Sequence, residues 1–319
     1  MKPLIVSLMI LTGCSLLLSA FAPAQPLEET LRISGAGALY PFVEKQADEI
    51  TDIVTGFKVR ISPVDSGRGM ADLFDRSADV AMVSRKLSPE ETGKGALALC
   101  VARDAVVVII NEANPARDAL LSRGVSRERL KSIWVGGEIK DWGDLFEGSP
   151  RSPIHVYTRP GSSGDAQTWA DYLGAEGPSL RGTTVPSASG MVEAVREDPS
   201  GIGYASYINV FNTATKTLSP GLRILPVDAD GDGSLAPRED IYRGRDALQA
   251  AIAGGLCPSP PARELYLVYR RGSLSNAEIV FLSGVVTGER KFVGDLGYAP
   301  LSPAEIREQR KAWKRRTTK

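Results

Sequence analysis

The sequence is poor in several things that chemistry usually needs. It has one histidine, His155, in 319 residues. That nearly excludes histidine-rich metal centres and leaves any Ser-His-Asp triad dependent on a single residue. Its three cysteines, Cys14, Cys100 and Cys257, show no Cys-x-x-Cys spacing, which argues against zinc. Charge of neither sign is in excess, because 38 basic and 38 acidic side chains cancel. Binding to nucleic acid by bulk attraction is therefore not expected. Beyond the N-terminus no run is apolar enough to cross a bilayer. What remains, 43% hydrophobic and 24% charged, is ordinary globular composition. The length suits one large domain or two lobes.

The N-terminus reads as an address. Lys2 precedes an apolar stretch from Pro3 to Ala22, and Ala22-Pro23-Ala24 fits the small-x-small pattern of signal cleavage. A signal peptide over residues 1–24 is expected. Leu11-Thr12-Gly13-Cys14 also resembles a lipobox, so a lipid anchor at Cys14 is an alternative, and an uncleaved anchor is a third. The residues after Cys14 are apolar, whereas a lipid-tethered linker is usually polar. All three readings place the folded part outside the cytoplasm, periplasmic or extracellular. In such an oxidising space, Cys100 and Cys257 are expected to form a disulfide.

From Leu31 onward the chain alternates short apolar strands with helical patterns. Strands are expected at 31–33, 57–61, 78–83, 105–110, 155–157 and 265–269. Helices are expected near 41–54, 70–76 and 166–173, a helix-turn-helix from 126 to 145, and a solvated basic helix at the C-terminus from 307. This alternation argues for α/β layers with mainly parallel pairing. Several strand ends run into turns rich in Gly and Ser and then into a helix. A helix start exposes unpaired N–H groups and a partial positive charge. Glycine lets a ligand approach that backbone, and serine adds a hydroxyl. One such turn is generic turn chemistry, and ordinary helix caps would look the same. Several converging turns would make an oxyanion pocket, to which Arg85 and Arg159 could add forked donors.

Taken in order, these turns resemble a family. Ser34-Gly35-Ala36-Gly37-Ala38-Leu39-Tyr40-Pro41 is similar to the opening motif of the PstS-type phosphate-binding proteins of bacterial ABC transporters. Asp65-Ser66-Gly67-Arg68-Gly69, Ala78-Asp79-Val80-Ala81-Met82-Val83-Ser84-Arg85 and the hinge-like Val106 to Asn111 follow in the family's order. So do Ile133-Trp134-Val135-Gly136-Gly137-Glu138-Ile139-Lys140-Asp141-Trp142, Arg159-Pro160-Gly161-Ser162-Ser163-Gly164-Asp165 and Gly201-Ile202-Gly203-Tyr204. The resemblance covers nearly all of the chain after its leader. It implies an α/β, two-lobed periplasmic-binding-protein fold of type II-like form. Each lobe would be a mixed sheet flanked by helices, and the chain would cross between lobes twice. The lobes would be residues 28–107 plus 264–319, and 108–263.

The resemblance also implies a ligand and its contacts. Phosphate or a related oxyanion would be held by Ala38, Leu39, Ser66, Gly67, Ser84, Arg85, Arg159, Ser163 and Gly164. Delivery would be to a membrane ABC permease, and the protein would act as a monomer. Three positions depart from the family pattern. Leu39 stands where many members have Thr, so only its backbone can serve. Ser84 stands where one branch has Asp. Asp165 replaces the usual Thr after Ser-Gly, and it is read either as a carboxylate that chooses between anions or as a cap of the helix beginning near Ala166. The thiols of Cys100 and Cys257 each precede an implied crossing strand, which supports their pairing.

A second motif stands apart from these turns. Asp228-Ala229-Asp230-Gly231-Asp232-Gly233-Ser234-Leu235-Ala236-Pro237-Arg238-Glu239 matches an EF-hand calcium loop. Asp228, Asp230 and Asp232 stand at positions 1, 3 and 5, the Ser234 carbonyl at 7 and Glu239 at 12. The preceding residues 222–227 read as a strand, so the entering helix is missing. Structural calcium is expected, and an acidic turn that binds nothing is the alternative. Two other functions are compared with this one. A calcium-stabilised adhesion or signalling protein would use the same fold with an empty cleft. A hydrolase is disfavoured, because Gly161-Ser162-Ser163-Gly164 lacks the last glycine of a nucleophile elbow, and His155 is expected to be a half-buried strand residue.

Overall fold

The computed structural model describes residues 30–317 apart from 273 and 289. The expected signal peptide, Cys14 and the first two residues of the expected first lobe lie outside the described residues. Eleven strands are present among those described: β1 (Thr30–Ala36), β2 (Lys58–Val64), β3 (Val80–Val83), β4 (Ala96–Asn111), β5 (Val125–Ser126), β6 (His155–Thr158), β7 (Thr183–Thr184), β8 (Gly201–Ser206), β9 (Leu222–Leu225), β10 (Val227–Asp228) and β11 (Ala262–Arg270). Nine belong to one mixed sheet in the order β2-β1-β3-β11-β4-β8-β6-β7, with β9 also on β4, while β5 and β10 pair separately.

The long β4 joins two half-sheets. Its residues 96–105 pair antiparallel with β11, and its residues 106–111 pair antiparallel with β8 and β9. The apolar run expected at 105–110 is thus the second part of a 16-residue strand. That part is buried on both faces, which explains its unbroken Val/Ile composition. In the first half β1 pairs parallel with β2 and β3; in the second β6 pairs parallel with β8.

Seven helices of nine or more residues pack on these strands: α1 (Tyr40–Thr51), α2 (Ser66–Phe74), α3 (Gly164–Leu173), α4 (Ala188–Glu197), α5 (Arg245–Ala253), α6 (Asn276–Thr287) and α7 (Pro303–Thr317). Their starts follow capping chemistry. Asp65 caps α2, Ser163 caps α3, Ser187 caps α4, and Ser275 with Glu278 forms a capping box on α6. α2 begins at Ser66, earlier than the expected 70, because the Gly-Ser turn is itself the first helical turn. Gly69 makes this possible: a Cβ there would lie 2.6 Å from the Gly35 Cα. The expected helix-turn-helix at 126–145 breaks instead into a short helix, a π turn at Ser132–Gly136 and a 3-10 turn at Trp142–Asp144.

One large core gathers Leu31, Ile33, Phe42, Phe281, Leu282, Val285 and Trp313 in the first half and continues along β4 to Met191, Val195, Tyr207 and Ile224 of the second. A second core centres on Trp134, Trp169 and Tyr204, with ring centroids 5.3 to 5.9 Å apart. Burying such a side chain contributes about 1.5–3 kcal/mol, so the aromatic cluster anchors the second half while the larger core ties the two halves together through β4. Among the described residues no helix is long and apolar enough to cross a membrane.

The expected disulfide is not formed. Cys100 and Cys257 are free thiols. The reason is strand direction. β4 and β11 are antiparallel, so from the Ala262–Ala105 pair the chain runs back to Cys100 in one direction, within β4, and to Cys257 in the other, before the start of β11. Cys100 faces Tyr266, whereas Cys257 lies beyond the Ala262–Ala105 pair, with its amide on the Ala251 carbonyl. Burial pushes both thiols up to about 12.

Candidate functional site

Strand ends of both halves meet at one small cavity. Its walls are Ala36, Gly37 and Ala38 after β1, Val64, Asp65 and Ser66 after β2, Ser84 after β3, Arg159, Ser163, Gly164 and Asp165 after β6, and Ala188. α2, α3 and α4 point their first turns at this space, as does the 3-10 turn Gly37–Leu39 that leads into α1. The first amides of a helix have no acceptor within it, and four such starts give the cavity a partial positive charge from the backbone alone.

Three serine hydroxyls converge there. Ser66 Oγ accepts from the Ser84 amide at 3.1 Å and lies 3.3 Å from Ser84 Oγ. Ser163 Oγ accepts from the Ala166 amide at 3.1 Å, which leaves its own O–H free to donate. The halves are closed on one another. The Gly67 amide donates to the Ser162 carbonyl at 3.2 Å, and a Cβ on Gly164 would fall 2.1 Å from Ser84 Oγ. Only glycine permits this approach. The space left between these walls is about 10 Å³, room for a single water position and too little for an oxyanion with the halves in this arrangement.

Arg159 supplies the charge. It is 5% exposed, its Nε has no hydrogen-bond partner, and its nearest acceptor is the Val185 carbonyl at 3.4 Å. No carboxylate pairs with it among the described residues. A buried guanidinium without a counter-ion is costly unless an anion joins it. Its backbone is fixed by Tyr204, whose hydroxyl accepts from the Arg159 amide at 3.0 Å and lies 2.8 Å from Thr158 Oγ1. Burial pushes the Tyr204 phenol up to about 12, so it stays neutral.

Asp165 is held from behind. Its Oδ1 accepts from Arg263 Nη2 at 2.7 Å, and the same guanidinium pairs with Asp104 through Nε at 2.7 Å and Nη2 at 3.1 Å. Arg263 also donates to Thr168 Oγ1, and Asp104 accepts from Ser206 Oγ. Two acids and one arginine are thus buried where the two half-sheets join. The expected alternative, Asp165 as a helix cap, is corrected, because Ser163 is the cap.

Of the expected oxyanion contacts, Ala38, Ser66, Ser84, Arg159, Ser163 and Gly164 line the cavity, with Asp165 beside them. Three do not. Leu39 is fully buried in the first core. The Gly67 amide is taken by Ser162. Arg85 points away and is gripped by Glu91 at 2.7 and 2.8 Å, where Glu91 also completes the capping box of a short helix. Sequence reasoning missed Ala188, whose signal was the Ser187 cap, and missed Arg263. His155 is exposed, not half-buried, and pairs with Asp198 at 2.8 Å. With Asp165 on Arg263, no nucleophilic triad assembles around Ser163. Two larger cavities, of about 500 and 450 Å³, lie elsewhere. The first has no serine and a single helix start on its walls, at Gly244 before α5, and in the second Arg85, Arg103 and Arg263 are all paired with acids.

The acidic loop gathers part of its expected ligand set. Carboxylate oxygens of Asp228, Asp230 and Asp232 lie within 4.8 Å of one another. Asp228 accepts from the Gly231 and Gly233 amides. Glu239 is turned onto the amides of Ala229, Asp230 and Ala236 and does not join the aspartates.

A sequence profile of the PBP superfamily domain matches residues 21–254. The phosphate-binding protein PstS 2 of Streptococcus agalactiae is 31% identical over 113 residues, 35% of this chain and 36% of that protein. The match therefore spans little more than a third of that relative. The phosphate-binding protein PstS of Borreliella burgdorferi is 27% identical over 213 residues, 64% of this chain and 72% of that protein. Among solved structures, an ABC-type phosphate transport receptor from Vibrio cholerae superposes with a TM-score of 0.59 at 20% identity, covering 84% of this chain and 98% of that one. That likeness concerns the fold.

Proposed function

This chain belongs to the PBP superfamily, and from that premise we propose that it is a solute-binding protein for an oxyanion, phosphate first, which it passes to a membrane ABC permease. The observation that carries the reading is Arg159, a buried guanidinium with no carboxylate partner among the described residues, set among helix starts and serine hydroxyls. Micromolar binding requires about 8 kcal/mol, and hydrogen bonds to a charged group contribute about 1.5–3 kcal/mol each. The donors of Arg159, Ser66, Ser84, Ser163 and the helix starts suffice once ordering and desolvation are subtracted. Relatives named as phosphate-binding proteins support phosphate as the ion.

We take residues 28–107 with 264–319 and residues 108–263 as the two lobes, which hinge where the strands cross near Val106 and Arg263 and act as a monomer outside the cytoplasm. Closure on the ligand is a hinge motion ordered by contacts to both lobes. Calorimetric titration with phosphate, sulfate, arsenate and molybdate in one buffer tests the reading. Micromolar phosphate binding is expected, and absence of heat with all four would overturn it. We take the Asp228–Glu239 loop as a structural calcium site, supported by its three gathered carboxylates. Calcium should raise the melting temperature and chelator lower it without loss of anion binding; no response to either would make it an ordinary acidic turn.

A further inference from the structure

Three of the four helix starts around the anion cavity are tied by a side chain of their own. Asp65 accepts from the Arg68 amide, Ser163 from the Ala166 amide and Ser187 from the Gly190 amide. The fourth is not. Among the described residues, neither the 3-10 turn Gly37–Leu39 nor α1 behind it has a side-chain cap. The local sequence explains this, because Ala36-Gly37-Ala38-Leu39 contains no side-chain oxygen. The stretch is also loose by composition, since glycine has the most conformational freedom to lose on folding. A Cβ on Gly37 would meet no described atom within 4 Å, so no neighbour crowds that residue into place.

What holds this turn comes from the far end of the chain. The Tyr298 hydroxyl donates to the Ala38 carbonyl at 2.6 Å, across 260 residues. Tyr298 is fully buried, and its ring stands edge-on to Phe42 of α1 with centroids 6.4 Å apart. Its amide donates to the Val293 carbonyl at 3.0 Å, and its carbonyl accepts from Gln249 Nε2 at 2.7 Å. The next residue, Ala299, exchanges both backbone hydrogen bonds with Arg103 of β4, at 2.9 and 3.0 Å. The phenol is therefore a fixed arm from the central strand to the anion turn. Burial pushes its titration well above the ordinary phenol range, so it remains an O–H donor.

The direction of that bond matters for an anion. Ala38 lines the cavity, whereas Tyr298 belongs to the large core and is not on the cavity wall. The Ala38 carbonyl is thus drawn to the core side. A carbonyl oxygen can only accept a hydrogen bond, and one turned into the cavity would repel an oxyanion where a donor is needed. The second half has a matching arrangement, in which the buried Tyr204 hydroxyl takes the Arg159 amide. We propose, resting on the oxyanion reading above, that Tyr298 is the positioning residue of the first-half anion turn. Its hydroxyl holds the Ala38 carbonyl away from the cavity and so keeps the first amides of the turn toward the ligand, without touching the ligand itself.

The test is Tyr298→Phe, which keeps the ring and removes only the hydroxyl, with Tyr207→Phe as control. Tyr207 is equally buried and its hydroxyl donates to the Gly297 carbonyl, so the control loses a bond of the same kind at the neighbouring residue. Calorimetry well below the melting transitions should show phosphate weakened about three- to tenfold in Y298F, the worth of one buried hydrogen bond. Arsenate should weaken equally, because backbone amides do not distinguish the two ions, and Y207F should bind both as the unmodified chain does. A residue that only packed the core would lower the melting temperature in both variants and leave affinity alone. Amide NMR supplies a readout that needs no variant: phosphate should move the Ala38 amide proton downfield in the unmodified chain, and that shift should shrink in Y298F. Unchanged phosphate affinity in Y298F, equal weakening in both variants, or an Ala38 amide that phosphate does not move would overturn the proposal while phosphate binding itself stands. Absence of binding by the unmodified chain would instead overturn the oxyanion reading, and this proposal with it.

Discussion

Replacing Asp165 with Asn separates two roles of one carboxylate. Asp165 is 6% exposed, lines the cavity, and receives a 2.7 Å hydrogen bond from Arg263. At neutral pH phosphate keeps at least one proton and sulfate keeps none. An ionised Asp165 can accept from phosphate and repels sulfate. The substitution removes a charge-assisted hydrogen bond of about 1.5–3 kcal/mol, so phosphate should weaken tenfold or more, 1.4 kcal/mol being tenfold. Sulfate binding should appear or improve, because the same step removes a negative charge from the pocket. Folding stability should also fall. Breaking a buried pair costs about 3–5 kcal/mol, and here the low end is expected because Arg263 keeps both contacts to Asp104. Calorimetry with both anions, well below the melting transition, is the assay. Asp104→Asn serves as the control, since it weakens the same network without touching the cavity; it should lower stability and leave the phosphate-to-sulfate ratio unchanged. If Asp165→Asn shifts both anions equally, or neither, Asp165 is only a structural partner of Arg263 and the selectivity argument is wrong.

Arg159→Met should weaken phosphate ten- to a hundredfold, the worth of a charged hydrogen-bond set, while the ligand-free melting temperature holds or rises because an unpaired buried charge is gone; a clear fall without ligand would point to a structural arginine. Glu305 is held down to about 2 by the hydrogen bond from Arg103, with help from Ser302. A carboxyl lowered in the folded state stabilises above its ordinary value of about 4.3 and loses that contribution as pH falls toward 2. Glu305→Gln should therefore flatten melting temperature against pH in that acid window, and an identical acid limb would count against the pairing. Unfolded under non-reducing conditions, the chain should show reactive thiols at Cys100 and Cys257. In the folded state both should react slowly at neutral pH, because burial holds them near 12. A disulfide-linked peptide in a digest would refute the antiparallel placement.

Much of the site was legible because its chemistry is local. A short strand, a Gly-Ser turn and a capped helix start are written in consecutive residues, and it was the resemblance of those turns to a known family that named Ala38, Ser66, Ser84, Arg159, Ser163 and Gly164, since ordinary helix caps would read the same. The unbroken Val106–Ile110 run likewise announced a strand buried on both faces. Tertiary structure decided which donors were free and what stood behind them. Arg85 and Arg159 look alike in sequence, yet Glu91 takes Arg85 six residues away, and among the described residues no carboxylate pairs with Arg159. Asp165 found its partner 98 residues on, in Arg263, and Cys100 missed Cys257 because two neighbouring strands run in opposite directions. Caps and turns depend on dihedral preferences of adjacent residues, which a sequence states directly. Ion pairs and strand register depend on which distant segments share a neighbourhood, and only packing the whole chain settles that.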